Sequence, residues 1–254
     1  MSSSLWKNDS FINPNIPFLF NREIIEYDLK EAGFSLTKEL HLLDENVINK
    51  LEKFKKEKRK IELGNIQRDD KEYRDSLKKS FAYARKLFFE ANGLEDRDII
   101  SIKKDAIFLN KKVNYQTFGK YLNFRPKNTY TSYIQMPKKM EFYYNINTLD
   151  VKGMNDENIK LHEKYMIKFI KSFFLKMETE DEETVIKFTK RFIDRYKKKE
   201  LEVGYYRTFD YRSEIELLTD TEVVYKDYWE DKKEDINISY NYFNILLKLI
   251  QIPL

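Results

Sequence analysis

The chain has 254 residues, 47 Lys and Arg against 43 Asp and Glu, a net charge of +4 and no cysteine. That inventory excludes disulfide scaffolds, thiolate metal sites and cysteine nucleophiles. Hydrophobic residues at 41% suffice for a core, 35% charged residues demand an extensive solvated surface, and 6 glycines and 5 prolines favour long helices over a loop-rich all-β fold.

Residues 1–20 read as an irregular lead broken by Pro14 and Pro17. A strand over Glu23–Asp28 follows. Ser35 is the expected cap of a helix through Leu36, Leu40 and Leu43, and Asp44 caps the next, through Val47, Leu51 and Phe54 to Gly64. The clearest early helix starts at Asp69 or Asp70, spaces Tyr73, Leu77, Phe81, Ala84 and Phe88 at three and four residues, and stops at Asn92-Gly93. Strands over 98–102 and 106–109 flank a hairpin turn at Lys103–Asp105. Shorter strands are expected at 129–134 and 140–145. An antiparallel helix pair follows at 156–178 and 181–199, joined by the acidic stretch Glu178–Glu183. Strand candidates near 203–210 and 221–226 precede a closing helix at 239–251. The predicted fold is α+β: an antiparallel sheet covered by helices over residues 1–150 and a mostly helical domain over 151–254.

The start of the chain lacks the basic and apolar regions of a signal peptide, and no stretch approaches the roughly 18 apolar residues of a membrane span. The expectation is therefore a cytoplasmic protein without membrane attachment. Rich use of Lys, Asn, Ile, Tyr and Phe fits an AT-rich genome, such as those of bacteriophages and low-GC bacteria. Glycines are dispersed, which excludes Walker and Rossmann phosphate loops, and the two isolated histidines, His41 and His162, cannot make a zinc cluster. Carboxylates remain as metal ligands.

Asp28 ends a predicted strand and Asp105 sits in a predicted hairpin, with a helical insertion between them. If strand and hairpin are neighbours in one antiparallel sheet, both carboxylates project from the same edge and share a divalent cation. Hard oxygen ligands suit Mg²⁺ or Mn²⁺ and phosphoryl transfer.

The segment Glu26-Tyr-Asp28-Leu-Lys-Glu-Ala-Gly-Phe-Ser-Leu36, with Leu42-Leu-Asp44-Glu-Asn46 after it, resembles motif A of polymerase palm domains, as in family A DNA polymerases. Ile99-Ile-Ser-Ile-Lys-Lys-Asp105-Ala-Ile-Phe108 is similar to the palm's motif C hairpin, and Ala106-Ile-Phe108 echoes the family B ending. The resemblance covers residues 22–110. It implies a reduced palm in which Asp28 and Asp105 are catalytic and bind metal. The usual acidic neighbour in motif C is replaced by Lys104 and Ala106, so a second carboxylate either comes from Glu26 or Glu31 or does not exist.

Basic residues lie between the two motifs and again after the second. Lys53–Lys60 and the helix carrying Arg74, Lys78, Lys79 and Arg85 lie where nucleotide-binding fingers would be, although Glu52, Glu57 and Glu62 make the first an ordinary solvated face as well. The window 106–140 holds seven basic residues, seven aromatics and no acidic residue. Such a stretch suits a phosphate-tracking groove with stacking platforms, so Lys111, Lys112, Tyr115, Lys120, Arg125 and Lys127 are the expected contacts to DNA or RNA. Aromatics in strands also serve as core. The functional expectation is a phage-encoded nucleic-acid-associated protein with metal-dependent nucleotidyl transfer. Its rival is a non-enzymatic phage factor that binds nucleic acid or occupies a host protein.

Overall fold

A computed structural model describes residues 3–136 and 139–206 of the chain. The fold is α+β, as the sequence predicts, with one six-stranded and one four-stranded antiparallel sheet among the described residues. Two compact units are distinguished, Met1–Ile16 with Arg22–Tyr130, and Pro17–Asn21 with the described residues from Thr131 onward. The division falls between residues 130 and 131, whereas the sequence suggested 150, because the strands after Thr131 form their own sheet with the helices that follow.

The first unit is built on β1 (Ser10–Ile12), β3 (Ile24–Leu29), β4 (Ile99–Lys103), β5 (Ala106–Leu109), β6 (Thr117–Phe118) and β7 (Leu122–Tyr130), in the order β1-β4-β5-β3-β7-β6. The expected irregular lead thus contributes an edge strand, β1, which pairs with β4. Between β3 and β4 the chain forms α1 (Ala32–Glu39), α2 (Glu45–Glu52), α3 (Lys56–Asp69) and α4 (Lys71–Ala91). Helix α4 follows the predicted stripe: Tyr73, Leu77, Phe81, Ala84 and Phe88 are buried in one cluster with Ile25, Tyr27 and Leu29 of β3 and Ile107 and Leu109 of β5. Asp70 caps it, accepting from the Tyr73 amide at 2.9 Å, and Gly93 ends it at a φ of 56°.

Three local expectations are corrected. The single helix drawn from Asp44 to Gly64 is two helices, with Gly64 inside α3. The break is held by Arg59, which donates to the carbonyls of Leu51 at 3.1 Å and Phe54 at 2.9 Å and so satisfies the end of α2. Ser35 is no N-cap, since α1 begins at Ala32 after Glu31 in the left-handed region at a φ of 46°. The strand expected at 129–134 is the end of β7 and the start of β8 (Ser132–Met136).

The second unit has the sheet β10-β9-β8-β2, formed by β2 (Phe18–Leu19), β8, β9 (Met140–Asn145) and β10 (Thr148–Lys152). The helix expected at 156–178 is α5 (Asp156–His162), a π-helical segment over Glu163–Ile167 that kinks at Tyr165, and α6 (Lys168–Thr179); α7 (Glu182–Lys197) follows. Phe169, Phe173 and Phe174 of α6 pack with Val185 and Ile193 of α7 and Phe142 and Tyr144 of β9. Asp181, from the acidic stretch, caps α7 by accepting from the Thr184 amide at 2.8 Å. Val203–Tyr206 is a short 3-10 helix where a strand was expected; the strand at 221–226 and the helix at 239–251 lie outside the described residues.

Candidate nucleic-acid interface

The two aspartates named from the sequence are brought to one place. β3 pairs with β5 so that Asp28 stands opposite Ala106, and the Leu29 amide donates to the Asp105 carbonyl at 3.0 Å. The hairpin is a two-residue loop, since Lys103 pairs with Ala106, and Lys104 turns the chain at a φ of 56°. Both carboxylates line a groove of about 610 Å³. Among the described residues neither forms an ion pair within 4.0 Å. Burial raises the proton affinity of Asp28, and the charges of Asp105 and Glu26 add to that rise, while Lys127 and Arg125 oppose it.

The same groove is lined by six basic side chains, Lys56, Arg59, Lys60, Lys104, Arg125 and Lys127, against the three carboxylates Asp28, Glu31 and Asp105. Helix α3 supplies three of the six, so part of the Lys53–Lys60 cluster faces the groove. Arg59 is partly spent: it pairs with Glu31 at 2.7 Å and lies 4.4 Å from the centre of the Phe34 ring. Arg85, grouped on sequence grounds with a nucleotide-binding helix face, is instead buried at 1% exposure and donates to the Trp6 and Lys104 carbonyls and to Asp9.

Lys127 has the most particular setting. Along β7 the register passes from Arg125 opposite Asp28, through Pro126 opposite Tyr27, to Asn128 opposite Glu26, so Lys127 is the extra residue of a β-bulge. Pro126 has no N–H for the ladder, which suits that irregularity. The bulge turns both Lys127 and Asn128 onto the Glu26 carboxylate, at 3.2 and 2.6 Å, and the Tyr130 hydroxyl donates to it at 3.2 Å. Glu26 is only 2% exposed. Burial works against the Lys127 charge, but Glu26, then Asp28 and Asp105, outweigh it and hold the ammonium above the ordinary lysine range.

The remaining expected contacts are placed elsewhere on the first unit. Lys111 pairs with Asp98 at 3.6 Å and Lys112 with Glu23 at 3.1 Å. Tyr115 is 62% exposed, and its backbone is held by Asn92. Lys120 lines a second hollow of about 520 Å³ with Lys30, Lys38 and Tyr121; this hollow shares Glu31, Phe34 and Arg59 with the first. Glu39 of α1 fixes this corner by accepting from the Lys120 and Tyr121 amides at 2.9 and 2.7 Å. Sequence reasoning missed Glu39, Lys30 and Lys38, whose roles arise from tertiary neighbours alone. Of the seven aromatics of 106–140, Phe108, Phe124, Tyr130 and Tyr133 are core residues, exposed by 1% or less, and so offer no stacking surface.

Asp28 and Asp105 are the two groove carboxylates that no ion pair engages among the described residues, and six cations share the lining with them. Mg²⁺ is ordinarily held by one or two carboxylates with waters and substrate phosphates completing its shell. Glu31 is engaged by Arg59 and Glu26 by Lys127, and no group of three or more acidic or histidine ligands exists among the described residues. Any further ligand would therefore come from water or phosphate. No helix among the described residues is long and apolar enough to cross a membrane.

Comparison with curated proteins gives no match. Residues 1–254, the whole chain, match the family described as Bacteriophage PBS1 gene 130 protein, and the protein belongs to this phage family.

Proposed function

We propose that this phage protein binds nucleic acid through a reduced polymerase-like palm and carries out metal-dependent nucleotidyl transfer there, in the host cytoplasm. The observation that carries the reading is the convergence of Asp28 and Asp105, from a strand and a hairpin far apart in sequence, on one groove with six basic side chains. Strand, helical insertion and acidic hairpin follow the order expected of the palm resemblance.

In this reading Asp28 and Asp105 would hold Mg²⁺ or Mn²⁺, and such an ion would supply activation of a 3′ hydroxyl and charge neutralisation at the leaving pyrophosphate. Lys56, Lys60, Lys104 and Arg125 orient phosphates along the groove, and Lys120 extends the basic surface at the adjoining hollow. Primer extension and terminal transfer with Mg²⁺ and Mn²⁺, run beside Asp28→Ala and Asp105→Ala proteins, test it. Incorporation by the parent and its loss in both variants is the expected result; no incorporation under either metal overturns catalysis.

A second reading is binding of DNA or RNA without chemistry. It is favoured by the flanking of Asp105 with Lys104 and Ala106 in place of an acidic neighbour, and by the engagement of Glu26 with Lys127. Metal-independent retention of labelled single strands would support it. A phage factor that instead occupies a host protein would show neither incorporation nor nucleic-acid retention.

A further inference from the structure

The hollow beside the groove carries two uncommitted cations. Of its four basic side chains, Arg59 is spent on Glu31 and on the carbonyls of Leu51 and Phe54, and Lys38 pairs with Glu52 while its ammonium lies 3.9 Å from the centre of the Tyr121 ring. The other two, Lys30 and Lys120, form no ion pair within 4.0 Å among the described residues. Their backbones are fixed: the Lys30 amide donates to the Asn123 carbonyl at 2.9 Å, and Glu39 accepts from the Lys120 amide at 2.9 Å. The walls of the hollow are thus set before any ligand arrives, with four cations against the two carboxylates Glu31 and Glu52. Hydrogen bonding to Lys120, then to Lys38, draws the Tyr121 hydroxyl below the ordinary tyrosine range against the opposing effect of desolvation, which marks the positive field at that wall.

We propose that this hollow is a subsite for one nucleotide of a single strand, next to those that the groove holds: Lys30 and Lys120 grip its phosphate, and Tyr121 and Asn123 address its base. The inference rests on the nucleic-acid-binding reading of the groove and needs no metal. A volume of about 520 Å³ suits one nucleotide, within the roughly 300–1,000 Å³ of small-ligand pockets. Glu31, Phe34 and Arg59 line both groove and hollow, so the two are contiguous and one strand can engage the free cations on either side of the Arg59–Glu31 pair. Bases in a duplex are already paired and stacked, so only an unpaired strand can place one in the hollow. The subsite therefore selects single strands long enough to span both.

The test is fluorescence anisotropy of labelled single strands of about 4 and about 12 nucleotides with the full chain, in the absence of divalent metal. Lys30→Gln/Lys120→Gln is expected to lose about tenfold in affinity for the longer strand and less than about twofold for the shorter, which the groove holds alone. Lys30→Arg/Lys120→Arg should stay within about twofold of the parent for both. Lys86→Gln/Lys111→Gln removes the same charge from lysines that line neither groove nor hollow, and it too should stay within about twofold. A blunt duplex of about 12 base pairs should lose no more in the hollow variant than in that control. Equal losses for the two strand lengths, for the duplex, or in the control reduce the effect to net charge and overturn the subsite while the groove reading stands; unchanged binding of the longer strand by Lys30→Gln/Lys120→Gln does the same. No retention of either strand by the parent overturns both.

Discussion

The Arg85 guanidinium on α4 donates at 2.6 Å to the carbonyl oxygen of Lys104, the residue immediately before Asp105. The same group reaches the Trp6 carbonyl at 2.8 Å and Asp9 at 2.7 Å, so one buried cation ties the tip of the β4–β5 hairpin to the helix behind it and to the N-terminal segment. Arg85→Met strands these acceptors. A loss of about 2–4 kcal/mol is expected, since three charge-assisted hydrogen bonds of one buried guanidinium are lost together. Urea unfolding followed by circular dichroism reads the loss directly, and an unchanged midpoint would contradict it.

Gly119 turns the β6–β7 corner at a φ of 59°, and a Cβ there would strike the Glu39 carboxylate. Gly119→Ala therefore combines left-handed strain with displacement of the group that accepts the Lys120 and Tyr121 amides. About 2 kcal/mol of destabilisation is expected. Gly33, which has open space around its Cβ position, is the control: Gly33→Ala, near the start of α1, should be neutral or stabilising by up to about 1 kcal/mol in the same thermal melts.

Core packing behind the site gives a third expectation. The Phe88 ring is fully buried and lies 4.5 Å from Phe124 and 5.6 Å from Tyr27, centroid to centroid. Phe88→Ala should cost about 3–5 kcal/mol. Phe88→Leu should cost clearly less, because it retains much of the buried volume. Equal losses in the two variants would place the energy elsewhere.

Acidity bears on Asp28. Its carboxyl is raised in the folded protein by burial and by Asp105 and Glu26, so folding favours the protonated form. As pH rises through that raised range the folded state loses stability relative to the unfolded one, and it recovers as pH falls. Asp28→Asn should therefore melt higher than the parent near neutral pH, with the difference shrinking below the carboxylate range. Asp105→Asn should lower the pH at which Asp28 releases its proton, as followed by carboxyl NMR shifts. An Asp28 titration unmoved by Asp105→Asn would remove that charge as a cause.

If the groove tracks phosphates, its charges set the salt dependence of binding. Arg125→Gln and Lys60→Gln should each reduce the slope of log K against log salt by about 0.7 for a single strand. Fluorescence anisotropy of a labelled oligonucleotide over a salt series measures it. Lys111→Gln, whose lysine is held by Asp98 away from the groove lining, should change the slope less.

Legibility followed the range of the interactions. Helix α4, the β4–β5 hairpin, β3 and β9 were readable because their signals are local: a stripe at three- and four-residue steps, a cap at Asp70, a stop at Asn92-Gly93 and apolar runs around Asp105. The placement of Asp28 beside the hairpin was expected from order alone. The α2–α3 break was not readable, because it depends on Arg59 reaching back to carbonyls that no spacing rule reveals. Arg85 looked like a surface cation because its neighbours Arg74, Lys78 and Lys79 are charged too; only the tertiary position of Trp6, Asp9 and Lys104 makes it a core residue. Phe108, Phe124, Tyr130 and Tyr133 misled in the opposite direction, since strand aromatics pack inward whether or not a groove lies beside them.

The pairing of β3 with β5 joins Asp28 to Ala106 across the whole of α1 to α4. No segment shorter than this loop contains both halves of the acidic pair, so the site is created by closing a long loop rather than by any local structure. Loop closure of this kind delays strand pairing until the inserted helices have condensed. The groove is thus expected among the later features to form as the first unit folds, and a peptide ending before β4 would carry Asp28 without its partner.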